Sequence, residues 1–146
     1  MPSPIKPLPP PAITARRRAA LVAAACKASR FAVAPFSGFQ VGAALLTRDG
    51  QVISGANVES ASYGLTCCAE RIALFAALTQ GRREFVAVAI VAAVSGGPMP
   101  CGACRQLLAE YAPAARVYVA DIRAPQKVRQ FRMGELLPEA FLEVPG

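Results

Sequence analysis

The sequence predicts an α/β fold in which helices are layered around a mixed sheet. Three observations carry this. Apolar runs of strand length alternate with helical patterns along the chain, in the order helix, hairpin, helix, strand, helix, strand. Asp49-Gly50 stands between two apolar runs, a strong hairpin signal that makes the first two strands antiparallel. Phe85 to Val94 is apolar throughout, as expected of a strand buried on both faces.

Met1 to Ala12 reads as a proline-rich, extended or flexible tail ahead of a single domain at 13–146. Thr14 is placed to cap a helix running to about Ser29, with Leu21, Val22 and Ala25 as its apolar stripe. Val41 to Thr47 and Val52 to Ala56 are the hairpin strands. Asn57 to Leu65 is small and polar, hence a loop. Thr66 is read as the cap of a helix from about Cys67 to Thr79, stopped by Gly81. Ser95 to Pro100 is a turn, and Gly102 to Tyr111 a helix closed by Pro113. Arg116 to Ala120 and Phe131 to Met133 are further strands, and Gly134 to Leu137 a helical turn.

A chain of 146 residues, 54 % apolar and 17 % charged, can bury a core of its own and is not disordered. The N-terminus lacks the basic and apolar regions of a secretory signal. Val86 to Val94 is too short to span a bilayer. The expectation is a soluble cytoplasmic protein with no membrane partner. The net charge of +7 is dispersed, and only Arg16-Arg17-Arg18 forms a run, without interleaved aromatics, so nucleic acid is not the expected partner.

The chemistry gathers at four residues. Cys101 and Cys104 lie three apart at a helix start, and Cys68 at another. Helix N-termini favour thiolate over thiol, and three thiolates suit zinc, one ion per chain. The chain has no histidine. Cys67 and Cys68, about 100° apart on one helix, do not suit a single ion. Cys26 lies in another helix, and sequence alone leaves it open as a fourth ligand. The favoured count is three protein ligands with a position left for water. Glu70, two residues after Cys68, is the candidate catalytic base. A +2 ion with three thiolates is formally −1, so Arg71 and Arg105 are read as donors to the sulfurs. Cys68-Ala69-Glu70 upstream of Pro100-Cys101-Gly102-Ala103-Cys104 is a zinc deaminase signature.

From Phe36 to Phe141 the chain resembles the homotetrameric cytidine deaminases of nucleoside salvage. The likeness rests on four stretches: Ser37 to Leu45, Asn57-Val58-Glu59-Ser60-Ala61-Ser62-Tyr63-Gly64, the zinc motifs extended to Arg71 and to Arg105-Gln106, and Leu136-Leu137-Pro138 with Phe141. It implies a three-layer α/β/α fold with a mixed, about five-stranded sheet. It implies hydrolytic removal of the 4-amino group of cytidine and 2′-deoxycytidine. Asn57 and Glu59 would bind the ribose 3′-hydroxyl, and Phe39 would pack beside the nucleoside. Ala61 would belong to the substrate loop. Ala69 and Glu70 would read the cytosine edge, with Glu70 carrying protons to N3 and the leaving ammonia. Tyr63 and Phe141 would reach a neighbouring subunit's site in a homotetramer, Phe141 stacking on the base. Phe36 and Ser60 depart from the family's usual tyrosine and asparagine. The alternatives are a deaminase of blasticidin-type antibiotics, against which the Asn57 to Tyr63 loop argues, a polynucleotide deaminase, and a zinc-stabilised interaction domain without activity.

Overall fold

The structure is a computed structural model that describes residue 9 and residues 11–145. Most of the proline-rich stretch read over Met1–Ala12 lies outside the described residues.

Helix α1 (Ala15–Ser29) begins where expected: the Arg17 amide donates to Thr14 Oγ1 at 3.1 Å. Strands β1 (Val41–Thr47) and β2 (Val52–Ala56) form the hairpin, turning where Gly50 takes a φ of +90°. Helix α2 (Ala69–Thr79), strand β3 (Phe85–Ala92), helix α3 (Gly102–Tyr111) and strand β4 (Arg116–Asp121) follow. The chain then forms β5 (Arg129–Arg132) and the short helix α4 (Met133–Leu136).

The five strands lie in the order β2-β1-β3-β4-β5. Only β3 and β4 are parallel, so the sheet is mixed. A parallel pair needs a crossover, and α3 supplies it.

Strand side chains alternate between faces, which makes two cores. Ala43, Leu45, Val88, Ile90, Val117 and Val119 pack against α2 and α3. Ala44, Leu46, Ala89, Val91, Tyr118 and Ala120 pack against Leu21, Val22 and Ala25 of α1. The result is three layers, as the resemblance implies. Fully burying a Leu, Ile or Val contributes about 1.5–3 kcal/mol, so either core can hold its helix to the sheet.

Gly55 sets how closely α2 approaches. A Cβ there would stand 2.6 Å from the Ala73 amide and 3.0 Å from the Ala69 carbonyl. Only glycine lets the start of α2 lie directly on β2.

The boundaries depart from expectation in a few places. Thr66 is not the α2 cap, because Cys68 occupies that position. The Thr66 hydroxyl instead accepts the Ser60 amide at 3.0 Å. Cys67 precedes the helix and exchanges backbone hydrogen bonds with Val58 at 2.9 and 3.0 Å. Strand β3 ends at Ala92, before a turn with positive φ at Gly96 and Gly97. Strand β5 begins at Arg129, earlier than Phe131, because pairing runs from Val119↔Arg129 to Arg116↔Arg132. Its arginines suit a protected sheet edge and hide the strand from an apolar-pattern reading.

Candidate active site

Cys68 and Cys101 are the N-cap residues of α2 and α3, both extended in backbone (φ −69° and −67°). Neither side chain caps its helix, so both sulfurs remain available at the positive ends of two helix dipoles. Cys104 follows on the first turn of α3 and is fully buried. The crossing of α2 and α3 on one sheet face brings the three sulfurs within 4.8 Å of one another. Cys68 Sγ and Cys101 Sγ are 3.8 Å apart. Two sulfurs on a tetrahedral ion at about 2.3 Å would be separated by about 3.8 Å. The donor set therefore fits zinc, and it leaves a fourth position open.

The remaining cysteines stand apart. Cys67 is not in the cluster because its backbone is tied to Val58 ahead of the helix. Cys26 packs at the edge of the α1 core, across the sheet from the cluster. Burial raises the thiol pKa of both. This settles the ligand left open in the sequence: Cys26 is not a member of the group.

The sulfurs share charge unevenly. A hydrogen bond from Cys104, aided by Arg71 and Cys101, pulls the Cys68 thiol down to about 5. The same bond to the Cys68 thiolate, together with burial, pushes Cys104 up. Arg71 Nη2 donates to Cys68 Sγ at 3.6 Å and to the Thr66 carbonyl at 3.3 Å. Arg71 Nε is buried without a hydrogen-bond partner among the described residues, a further donor on the same guanidinium.

Arg105 departs from its expected role. Its Nε donates to the Pro100 carbonyl at 2.7 Å and its Nη1 to the Leu136 carbonyl at 2.9 Å. Neither bond goes to a sulfur. Arg105 braces the backbone just before Cys101 and ties it to α4.

Glu70 lies on the first turn of α2 and is only 4 % exposed. Burial raises its carboxyl pKa, partly offset by its own backbone amide. A carboxyl so placed can hold a proton beside the sulfur cluster.

The other candidates differ in burial and in the contacts they make. Ala69 is fully buried at the start of α2, and Ala61 is exposed in the loop before it. Asn57 is buried: its Oδ1 accepts the Val41 amide at 2.8 Å and its Nδ2 donates to the Phe39 carbonyl at 2.9 Å. Glu59 accepts the Phe36 and Ser37 amides at 2.9 and 3.1 Å, and the Ser37 hydroxyl as well. Phe39 is 40 %, Phe141 64 % and Tyr63 80 % exposed. Phe36 meets the Tyr63 ring edge-on, with centroids 6.4 Å apart. Ser60 accepts the Ser62 amide at 3.1 Å and shapes the same loop.

Two residues had no role in the sequence reading. Ser37 holds Glu59, and Gln106 donates to the Phe141 carbonyl at 2.6 Å. Gln106 sits directly after Arg105 in a motif, but nothing local signals a partner 35 residues away.

A family model described as the cytidine and deoxycytidylate deaminase zinc-binding region matches residues 15–120. The chain belongs to this family. The deaminase-family likeness extends to whole proteins. A cytidine deaminase of Halalkalibacterium halodurans is 51 % identical over 125 residues, covering 85 % of this chain and 93 % of that one. The crystal structure of a cytidine deaminase from Burkholderia pseudomallei superposes with a TM-score of 0.80 at 50 % identity, over 84 % of this chain and 97 % of that one. Blasticidin-S deaminase of Bacillus cereus is a more distant relative, 33 % identical over 87 residues, covering 54 % of this chain and 62 % of that one. Among the described residues of this deaminase, no helix is long and apolar enough to cross a membrane.

Proposed function

We propose that the protein hydrolyses cytidine and 2′-deoxycytidine to uridine and 2′-deoxyuridine with release of ammonia. One observation carries the reading: three sulfurs spaced for zinc stand beside a single buried carboxyl, Glu70. A bound zinc ion would supply Lewis acidity that makes a water nucleophilic near neutral pH. In the net reaction the C4–N bond breaks, a C4–O bond forms and ammonia leaves. Glu70 would take one proton from water and deliver it to ring N3, then carry the second proton, from the new C4 hydroxyl, to the amine, which departs as ammonia and leaves C4=O. Ala69, at the helix start beside it, would offer backbone to the cytosine edge.

Asn57 and Glu59 would meet the ribose with the capacity their internal bonds leave over. Asn57 keeps one amide hydrogen and one lone pair, and Glu59 keeps carboxylate acceptor capacity. Their internal bonds would hold them ready for a sugar hydroxyl. Phe39 and Ala61 would close the sugar side.

Exposed apolar residues favour assembly. Tyr63, Leu65 and Phe141 are each more than half exposed. A homotetramer with Tyr63 and Phe141 contributing to neighbouring sites would cover them. The unit would act on free nucleosides in cytoplasmic pyrimidine salvage, and removing residues 1–12 would leave turnover intact.

The deciding experiment measures ammonia release and absorbance change with cytidine, 2′-deoxycytidine and blasticidin S on zinc-loaded protein, alongside its mass in solution. Turnover of both nucleosides, with little on the antibiotic, is expected. Absence of cytidine turnover in protein holding one zinc per chain would sink the proposal. Preferred turnover of the antibiotic would favour the second reading, which the short and partial likeness to the blasticidin enzyme makes weaker.

A further inference from the structure

One turn of α3 holds both the last residue of α4 and a point in the segment that follows it, which has no regular secondary structure. Arg105 Nη1 donates to the Leu136 carbonyl at 2.9 Å. Gln106 Nε2 donates to the Phe141 carbonyl at 2.6 Å and to Glu110 Oε1 at 2.6 Å. An amide nitrogen has two N–H donors, so both are engaged. Glu110 lies four residues along the same helix face and holds the Gln106 amide in the rotamer that reaches Phe141.

The apolar side chains of this segment add little anchoring. Phe141, Leu142 and Val144 are 64 %, 53 % and 82 % exposed. The Phe141 ring is therefore placed largely by what holds its backbone. The helix holding it is the one whose N-terminus carries Cys101 and Cys104. Gln106 sits two residues beyond Cys104, so the helix that carries two of the sulfurs also fixes the backbone from which Phe141 would reach a neighbouring subunit's site.

We propose that Gln106 is a positioning residue. By holding the Phe141 carbonyl it pre-sets the exposed ring as a flat apolar wall for the base. This rests on the nucleoside reading above. Ordering the ring beforehand removes part of the entropy that binding would otherwise consume. The effect belongs to nucleoside affinity, not to bond breaking, since Gln106 does not reach the reacting atoms.

The chain has no tryptophan, so Phe141→Trp places a single indole on the segment. Fluorescence anisotropy of F141W is compared with that of F141W/Q106M, which keeps side-chain length and removes the amide. Uridine, which is not consumed, serves as the titrant. The double variant is expected to show lower anisotropy without ligand, and a uridine midpoint raised about tenfold. In the Phe141 background, Q106M should raise the KM for cytidine about tenfold with kcat changed less than about twofold. E110Q, which keeps an oxygen acceptor for Gln106, should remain near wild type. Zinc content and Tm are measured on every variant. Unchanged anisotropy with unchanged KM overturns the proposal. So does a loss confined to kcat, which would place Gln106 in the chemistry or in the metal site. If the parent protein turns over no cytidine, the nucleoside reading fails, while anisotropy still decides whether Gln106 holds the ring.

Discussion

Arg71 Nη2 stands 3.6 Å from Cys68 Sγ, and the two residues lie three apart across the first turn of α2. Positions i and i+3 share a helix face, so sequence spacing alone brings guanidinium and sulfur together. The contact opposes the formal −1 of three thiolates around a +2 ion. Arg71→Gln should weaken zinc binding about 10–100-fold in competition with a chelator. Arg105→Ala is the contrast, because its bonds reach carbonyls. It should lower stability by about 2 kcal/mol in denaturant unfolding with a smaller effect on zinc affinity. Equal effects of the two on zinc would contradict this division.

Glu70→Gln keeps size and removes the proton carrier. Turnover of cytidine should fall at least about 100-fold, with one zinc per chain retained. Burial already raises the carboxyl pKa, so the uncharged amide should not lower Tm. Zinc analysis and thermal unfolding on the assayed sample separate loss of chemistry from loss of the site.

Gly55→Ala tests how the fold sets the site. The new Cβ would meet backbone of α2 at 2.6 Å, where no side chain can yield. The helix must shift and carry Cys68 and Glu70 with it. Destabilisation of about 1–3 kcal/mol is expected, the range of overpacking, together with weaker zinc retention. A crystal structure of the variant with α2 unmoved would refute the argument.

Glu59 gives a pH dependence of known sign. The Ser37 hydroxyl, then the Ser37 and Phe36 amides, hold its carboxyl below the ordinary range. A carboxyl lowered on folding adds stability that is complete above its unfolded value of about 4.3, and that is lost as pH falls through the folded value. Ser37→Ala should move the Glu59 titration up toward the ordinary range. The Phe36–Ser37 turn should then loosen at higher pH than in the parent. Carboxyl-carbon NMR titration reads this directly, and coincident curves for the two proteins would rule it out.

Some of the molecule could be read locally. Thr14, the Asp49-Gly50 turn and the unbroken Phe85–Ala92 run marked their elements because capping, turn chemistry and burial leave short-range patterns. The start of α2 lies two residues beyond the position that Thr66 marks. Thr66 has the chemistry of a cap, but its hydroxyl is taken by Ser60 across the loop. The edge strand β5 starts earlier than its apolar residues suggest, because its pairing to β4, not its composition, defines it.

By itself the sequence determined most of the secondary structure elements, the alternation of strands and helices, and Cys68, Glu70, Cys101 and Cys104 as candidates. These depend on residue type and spacing along a few turns of chain. The tertiary structure alone decided which sulfurs meet, that Cys26 lies across the sheet, that Arg105 turns to carbonyls, and that Asn57, Glu59 and Gln106 hold partners far along the chain. The reason is physical. Those contacts join segments that become neighbours only through the strand order β2-β1-β3-β4-β5 and the close seating of α2 at Gly55, and neither is encoded in any local run of residues.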